Sequence, residues 1–281
     1  MQYKVKCLNV IGKRNKIFYS GDIVTDDDFR PYVAERYVKS GHLFPIPSSC
    51  EFEDYKFEKK EIVIGITHYK RSNCLYELTK KIKQLNENAY IVVIDDFSEQ
   101  EIDTSYIDHI IYNTENLGKK GFWMTVNKLW FFCRRHNPKY YISLVDDLIP
   151  NDNFFECIDI FERIEHGQKI AMDLGNYGRE YNWTNFKRQD YNSETFLTQG
   201  TEQAFISKSE FIEYTIPRIG SGRWRKNELL GSGVGAAMNK YWVRQGKTIF
   251  GVKKSMFKHN KKCEQSMMNP IERKLNPWKI I

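Results

Sequence analysis

Apolar runs and amphipathic segments alternate between residues 61 and 145, and this alternation restricts the chain to few folds. The runs 61–67, 89–95, 107–112 and 140–145 are apolar almost throughout, which predicts strands that are covered on both faces. The segments 73–85 and 122–135 have the spacing of amphipathic helices. Strands that alternate with helices predict an α/β fold with a mostly parallel sheet flanked by helices.

Two adjacent carboxylates, Asp146 and Asp147, directly follow the predicted strand Tyr140–Val145. Burying them is costly unless a cation pairs with them. Mg²⁺ and Mn²⁺ prefer carboxylate oxygen and usually share their coordination with phosphates, so a divalent-ion site is one interpretation. The alternative is structural, because two such acids could also cap a helix that opens at Asn153.

Polar residues also follow the neighbouring predicted strands. Thr67–Arg71 comes after the first strand, and Asp95 and Asp96 end the second. Ligands of α/β proteins bind at the carboxyl ends of the strands, so we expect these residues and the acid pair to share one edge of the sheet. Arg71 suits a diphosphate, because a guanidinium pairs with two phosphate oxygens at once; a solvated surface cation is the alternative.

Two nucleotide-binding motifs are absent from the sequence. There is no G-x-x-x-x-G-K-[ST], which excludes a P-loop enzyme, and no G-x-G-x-x-G follows the first strand, which argues against a dinucleotide enzyme. The loop 116–121 instead places two glycines before a helix, where backbone amides favour an anion. Gly118 and Gly121 could equally be ordinary turn residues.

The composition is that of a globular protein with excess positive charge. The 281 residues carry a net charge of +7, which favours an anionic partner. The start does not resemble a signal peptide, and no apolar run is long enough for a membrane span. The six cysteines have no C-x-x-C spacing, so we expect neither a zinc site nor a redox motif, but reduced thiols in a cytoplasmic protein.

The sequence predicts two domains. Residues 1–58 would form a small β-rich accessory module, and residues 59–281 would form the domain that carries the chemistry. Lys4–Val10 alternates as a strand, Thr25–Val38 could contain a short helix, and the stretch around Pro45 and Pro47 has the composition of a linker. The sequence does not decide whether the module serves docking, oligomerisation or nucleic-acid contact.

The order of these features resembles the GT-A fold of nucleotide-sugar glycosyltransferases over residues 61–262. In that family the first strand ends in a T/S-x-x-R-like element, an acid follows the second strand, and an N-x-G loop with a downstream Asn comes next. The metal motif follows the fourth strand, here as Val145-Asp146-Asp147 instead of D-x-D. Gly200–Ser207 resembles the strand that lines the acceptor pocket, and Ser255–His259 resembles the late S-x-x-x-H element.

The resemblance implies a Rossmann-like sheet, a UDP-sugar donor, Mn²⁺ or Mg²⁺, and a role for each matching residue. The nucleotide-sugar contacts would be Thr67, Tyr69, Arg71, Asp95, Asp96, Asn116, Gly118, Lys119, Asn127 and Lys258. The metal ligands would be Asp147 and His259, with Asp146 beside them among the catalytic residues. Glu228 is the candidate general base, with Glu202 and Asp173 as alternatives.

Basic residues concentrate late in the chain. From Lys247 to Ile281 nine Lys and Arg face two Glu, and the basic loop 218–226 contains glycines and one tryptophan. Such cations around a stacking ring suit a nucleic-acid backbone, although a solvated basic face is the alternative. The DNA contacts would be Arg223, Trp224, Arg225 and Lys226.

The acceptor is predicted on this basis. The chain has a general likeness to phage enzymes that glycosylate 5-hydroxymethylcytosine in DNA, including an arabinosyltransferase. We therefore expect hydroxymethylated DNA to accept arabinose or glucose, in the host cytoplasm if the protein is phage-encoded. A polysaccharide, lipid-linked or protein acceptor is the alternative. Two further classes are a nucleotidyltransferase, for which Thr67–Asn73 lacks the usual glycines, and a non-catalytic nucleotide-sugar-binding or structural module.

Overall fold

The computed structural model describes residues 2–5, 9–11, 17–19, 23–29, 33, 43–46, 56–175, 189–198, 200–201, 204–216, 234–260 and 263. The chain forms two compact units, Met1–Phe57 and Glu58–Ile281. Among the helices in these ranges, none is both long and apolar enough to cross a bilayer.

The first unit is built from short antiparallel strands. They are β1 (Gln2–Val5), β2 (Asn9–Ile11), β3 (Ile17–Tyr19), β4 (Ile23–Thr25) and β5 (Leu43–Ile46). β1 lies between β4 and β5, and β2 pairs with β3. One 3-10 turn, Asp26–Asp28, follows β4. Most of the predicted helix and of the predicted linker lies outside the described residues.

The second unit alternates strands with helices over its first half. Its elements are β6 (Ile62–His68), α1 (Ser72–Leu85), β7 (Tyr90–Asp95), β8 (His109–Tyr112), α2 (Gly118–Arg134), β9 (Tyr140–Val145), β10 (Leu148–Pro150), α3 (Glu156–Arg163), β11 (Lys169–Asp173), β12 (Gln189–Asp190), β13 (Thr195–Thr198), β14 (Phe205–Lys208), α4 (Ser209–Glu213), α5 (Val234–Arg244), β15 (Thr248–Val252) and β16 (Phe257–His259).

Nine of these strands form one mixed sheet in the order β12-β13-β15-β11-β14-β9-β6-β7-β8. The run β9-β6-β7-β8 is parallel, and so is the pair of β11 with β15. β14 runs antiparallel to both of its neighbours, β11 and β9. The predicted α/β class, a sheet with parallel strands flanked by helices, is confirmed.

Burial explains why the parallel half forms. β6 and β7 bury residues on both faces, and α1 lays Leu75, Leu78 and Ile82 against the same core at the spacing of one helix face. Each such side chain stabilises the fold by about 1.5–3 kcal/mol when it leaves water. The carboxyl ends of β6, β7 and β9 are thereby fixed beside one another.

The alternative interpretation of the acid pair as a helix cap is wrong. α3 begins at Glu156 with Phe155 at its N-cap position, and the short strand β10 lies between Asp147 and that helix. β10 pairs with β16, so the acids open a two-stranded ribbon. Asp146 and Asp147 are therefore held at the strand end for a reason other than capping.

Two histidines lie at the opposite, amino-terminal edge of the parallel strands. His109 begins β8 and stacks on Phe132 with ring centroids 4.1 Å apart, and His136 Nδ1 lies 2.9 Å from the backbone oxygen of Glu58. Burial lowers the pKa of both imidazoles; the charge of His136 adds to this for His109, whereas the Glu58 oxygen partly opposes it for His136.

This pair is expected to make folding stability depend on pH. A histidine whose pKa is lowered by folding takes up its proton in the unfolded chain first, so stability falls as the pH drops below about 7. Urea unfolding at pH 7.5 and 5.5 measures the loss, which should shrink in a His109→Gln/His136→Gln variant. An equal loss in the variant and the wild type would show that other groups cause it.

Candidate functional site

Three strand ends bring His68, Asp95 and Asp146 together. β6 pairs in parallel with both β7 and β9, so His68 aligns with Asp95, and Thr67 aligns with the residue that precedes Asp146. His68 Nδ1 lies 2.8 Å from Asp146 Oδ2, and its Nε2 lies 3.9 Å from Asp95 Oδ1. Acids that are far apart in sequence therefore flank one buried imidazole.

Arg71 bridges the acid pair. Its Nη2 lies 2.6 Å from Asp146 Oδ1 and its Nη1 lies 2.7 Å from Asp147 Oδ2. The side chains are 11%, 1% and 21% exposed for Arg71, Asp146 and Asp147, so the charges stand largely apart from water. A cation at this distance offsets the cost of burying the carboxylates. Arg71, which the sequence predicts to bind a diphosphate, therefore neutralises the two acids in this structure.

The two carboxylates differ in how their oxygens are used. Asp146 Oδ2 accepts the backbone N–H of Tyr69 at 3.1 Å and faces His68, while Oδ1 pairs with Arg71. Asp147 Oδ2 pairs with Arg71, but its buried Oδ1 accepts no hydrogen bond from the described part of the chain. By hydrogen-bond geometry Asp146 Oδ1 also has no partner among the described residues, but Arg71 Nη2 lies 2.6 Å from it, whereas His259 Nδ1 lies 3.8 Å from Asp147 Oδ1.

His259 faces that oxygen. Its Nδ1 lies 3.8 Å from Asp147 Oδ1. An ion bonded to both atoms at about 2.1 Å each spans separations up to about 4.2 Å, so the gap fits a divalent cation. Among the described residues no cluster of three or more His, Cys, Asp or Glu side chains forms a metal site. Ions of the Mg²⁺ type often use one or two protein ligands and take the rest from substrate phosphates, so two donors are a sufficient protein share.

The late strand β16 is held against the acid pair by its neighbours. His259 aligns with Leu148 in the ribbon with β10, and the backbone N–H of Asn260 donates to the carbonyl of Asp147 at 2.7 Å. The Asn260 side chain donates to Glu77 on α1 at 2.8 Å. These contacts bring His259 to the site from more than a hundred residues away.

A disulfide reinforces this placement. Cys74, in the first turn of α1, is bonded to Cys263 across a sequence separation of 189, with Cα atoms 6.2 Å apart. The expectation of reduced thiols is therefore wrong for this pair. Cys133 and Cys157 are free, and burial raises the pKa of both thiols, which makes them poor nucleophiles. Cys7 and Cys50 lie outside the described residues.

Asp96 and Asn116 build the loop before α2. Asp96 accepts the backbone N–H groups of Leu117 at 3.1 Å and Gly118 at 3.0 Å, and Asn116 Nδ2 donates to the Asp96 carbonyl at 3.0 Å. Gly118 has φ +51°, a conformation that glycine adopts without strain. Both side chains therefore organise the helix start in the structure, and the nucleotide contacts of Asp96 and Asn116 stay a prediction.

Asn127 and Asp95 are likewise used inside the protein. Asn127 is buried, donates to the Ile216 carbonyl at 2.9 Å and accepts the Ile216 N–H at 2.8 Å. Asp95 accepts the backbone N–H of Ser98 at 2.9 Å, and the Ser98 hydroxyl accepts the N–H of Lys70 at 2.9 Å. The amide of Asn127 thus holds the backbone of Ile216, whereas Asp95 ties the loops after β6 and β7 to each other.

The sequence does not single out His68 and Phe97, which lie at the end of β6 and just after the end of β7. Phe97 follows Asp95-Asp96 with φ +61° and is 39% exposed, and Lys70 and Glu99 also have positive φ near 55°. Non-glycine residues in this conformation are uncommon and cluster where ligands bind. The sequence offered one clue to His68, its position within the strand-end stretch Thr67–Arg71.

The remaining predicted residues divide by position. Thr67 and Tyr69 are half-buried at the end of β6, and Lys258 is exposed on β16. Asp173 is buried at the end of β11, where it accepts the Gly175 N–H at 2.8 Å. For the other predicted residues, either the residue or its side chain lies outside the described part of the chain. They are Lys119, Glu202, Arg223, Trp224, Arg225, Lys226 and Glu228.

No protein-family model matches the chain, and no curated protein matches it. Among solved structures it is similar to S. aureus TarS 1–349, with 10% identity over 70% of this chain and a TM-score of 0.42. It spans 59% of that TarS chain. It is also similar to A197 from STIV, with 12% identity over 71% of this chain and 84% of that one and a TM-score of 0.36.

A further similar structure is glucosyl-3-phosphoglycerate synthase from Mycobacterium tuberculosis in complex with Mn²⁺, UDP and glucosyl-3-phosphoglycerate. The identity is 10%, the match covers 71% of this chain and 72% of that one, and the TM-score is 0.42. At these identities and TM-scores the likeness identifies neither a family nor an activity.

Proposed function

We propose that the chain is a metal-dependent glycosyltransferase that moves a sugar from a UDP-sugar to a hydroxyl acceptor. The observation that carries the proposal is the unfilled, buried Asp147 Oδ1 opposite His259, at the edge where three strand ends meet. Substrates of α/β proteins bind at this edge, and hard carboxylate oxygen suits the ion that accompanies a diphosphate.

The residues at this edge divide the work. Asp147 and His259 would hold Mn²⁺ or Mg²⁺, which when bound supplies positive charge to the departing diphosphate. Asp146 is kept rigid by His68, Arg71 and the Tyr69 N–H, so it orients the loop that carries the donor contacts. Glu228 or Glu202 remains the proposed general base for the acceptor hydroxyl.

Hydrolysis of a panel of UDP-sugars tests the proposal. Glycosyltransferases of this kind hydrolyse their own donor slowly when no acceptor is present, so we expect one UDP-sugar to release UDP with Mn²⁺ and not with EDTA. If the protein binds UDP in Mn²⁺ but hydrolyses no UDP-sugar, even when acceptors are present, the non-catalytic binding module is favoured. If the protein neither binds UDP nor hydrolyses any UDP-sugar, the proposal is overturned.

His259→Ala is expected to weaken UDP binding about tenfold in the presence of Mn²⁺ and to leave it nearly unchanged in EDTA, because the imidazole acts through the ion. Isothermal titration under both conditions measures the difference. His166→Ala, which removes a half-exposed histidine between α3 and β11, is the matched control and should behave as wild type. An equal loss with and without metal would make His259 a packing residue.

For the acceptor we propose hydroxymethylated DNA, supported by the cations that cluster late in the sequence around Trp224. Phosphate contacts release counterions, so duplex affinity should fall with salt at a log–log slope of about −0.9 per neutralised phosphate. Arg223→Glu/Arg225→Glu should reduce that slope and slow transfer to DNA, while hydrolysis of the UDP-sugar stays unchanged. If hydroxymethylated DNA neither binds nor accepts sugar, a saccharide, lipid-linked or protein acceptor replaces it.

A further inference from the structure

We propose that Arg71 is an exchangeable counter-ion: it neutralises Asp146 and Asp147 while the donor site is empty, and moves to the donor diphosphate when a metal ion takes its place. This inference rests on the proposed function and adds a regulation to the same site. It makes metal and donor binding mutually dependent, so that an ion alone binds weakly.

The first argument is that the guanidinium occupies the oxygens that face the site. It lies within 2.7 Å of one oxygen from each carboxylate. Asp146 Oδ2 is already used by His68 and by the Tyr69 N–H, so Asp147 Oδ1 is the acid-pair oxygen that remains for a new ligand. A divalent ion at that oxygen would share a carboxylate with Arg71, and the repulsion between the two cations disfavours their joint presence.

The second argument is that the guanidinium is incompletely satisfied where it lies. Its Nε is buried and has no hydrogen-bond partner in the described part of the chain. A buried donor that is left unpaired makes the closed arrangement less stable than its two ion pairs alone suggest. Release toward a diphosphate would give that donor a partner, since guanidinium and phosphate oxygens pair side by side.

The third argument is that Arg71 lies at a helix start, which favours binding of an anion. It is the N-cap residue of the 14-residue helix α1, whose first turn contains no acidic residue and whose start has no side-chain cap. The unpaired N–H groups and the dipole of such a helix start favour negative charge. Because Arg71 precedes α1 directly, a phosphate group at that helix start would lie next to the residue that carries the guanidinium.

The test measures Mn²⁺ binding to the nucleotide-free protein by electron paramagnetic resonance, and UDP binding in Mn²⁺ by calorimetry. Arg71→Met should bind Mn²⁺ at least about tenfold more tightly than wild type, because the competing charge is gone. The same variant should bind UDP at least about tenfold more weakly, because the phosphate ligand is gone. The two affinities thus move in opposite directions, which general damage to the site would not produce.

Two further variants support the comparison. Arg163→Met removes a guanidinium that pairs with Glu194 at 2.8 Å, on the exposed surface, and should leave both affinities unchanged. Arg71→Lys keeps the charge but loses the fork that spans both acids, so its Mn²⁺ affinity should lie between those of Arg71→Met and wild type. It also serves if Arg71→Met folds poorly, as the loss of one partner of a buried ion pair can cause.

Unchanged or weaker Mn²⁺ binding in both Arg71 variants would overturn the exchange, even if the wild type hydrolyses a UDP-sugar with Mn²⁺. That result would leave the proposed function intact and make Arg71 a fixed structural cation. If wild type binds no Mn²⁺ even with UDP present, the metal assignment fails, and the exchange fails with it.

Discussion

Asp147→Asn is expected to lower metal-dependent transfer by about a thousandfold or more. A divalent ion contributes several kcal/mol to the stabilisation of a leaving diphosphate, and each 1.4 kcal/mol corresponds to a factor of ten in rate. Asp147 would offer the ion its Oδ1, which accepts no hydrogen bond from the described residues and lies 3.8 Å from His259 Nδ1. An amide oxygen in that position carries no net charge, so the variant should not bind the ion at Mn²⁺ concentrations that saturate the wild type.

The fold of Asp147→Asn should survive. Asn keeps an oxygen that can accept from Arg71 Nη1, which lies 2.7 Å from Asp147, and Arg71 retains its second ion pair with Asp146. The loss of stability should therefore stay below about 2 kcal/mol. Thermal unfolding and UDP-sugar hydrolysis at several Mn²⁺ concentrations measure the two effects, with Asp152→Asn, an exposed acid, as the control. Mn²⁺-dependent turnover at the wild-type rate would remove Asp147 from the metal site.

The sequence predicts this edge well because strand pairing is a strong constraint. Once Ile62–His68, Tyr90–Asp95 and Tyr140–Val145 are recognised as buried parallel strands, the residues at their carboxyl ends must be neighbours. The convergence of Arg71, Asp95 and the acid pair required no knowledge of loops. Periodicity in the sequence carries that information directly.

The sequence predicts the roles of single side chains poorly, because one carboxylate or amide suits both a ligand and a helix start. The sequence predicts a nucleotide contact for Asp96, and it does not predict that the carboxylate accepts the N–H groups of Leu117 and Gly118. Asn127 pairs with Ile216, which is 89 residues away. Tertiary packing determines such partners, and no local pattern in the sequence predicts them. The same holds for Arg71, whose ion pairs with both Asp146 and Asp147 follow from the pairing of β6 with β9.

The disulfide could not be predicted for a related reason. Cys74 and Cys263 carry no spacing signal, and α1 and the segment after β16 become neighbours through tertiary contacts, among them the ribbon of β10 with β16 and the bond of Asn260 to Glu77. The bond closes a loop with a sequence separation of 189 within the second unit. It also ties Cys263, three residues after Asn260, to the helix that begins beside Arg71.

A Cys74→Ser/Cys263→Ser variant is expected to lose about 5 kcal/mol of unfolding free energy, which the chain-entropy model gives for a loop of 189 residues. It should also bind Mn²⁺ more weakly in the presence of UDP, because β16 then depends on three pairs with β10 and on the contacts of Asn260. UDP binding without metal should change little, since Arg71 and the strand ends are untouched.

Dithiothreitol supplies the matched control for this variant. It should lower the stability and the Mn²⁺ affinity of the wild type toward those of the double-serine variant, and it should have no effect on the variant itself, because its target bond is gone. Urea unfolding and Mn²⁺ titration, each with and without dithiothreitol, provide the four comparisons. If dithiothreitol leaves the wild type unchanged, or if unreduced wild type reacts with a thiol reagent at Cys74 and Cys263, the bond does not hold His259 in place. The position of His259 would then depend on the β10–β16 ribbon and on the contacts of Asn260.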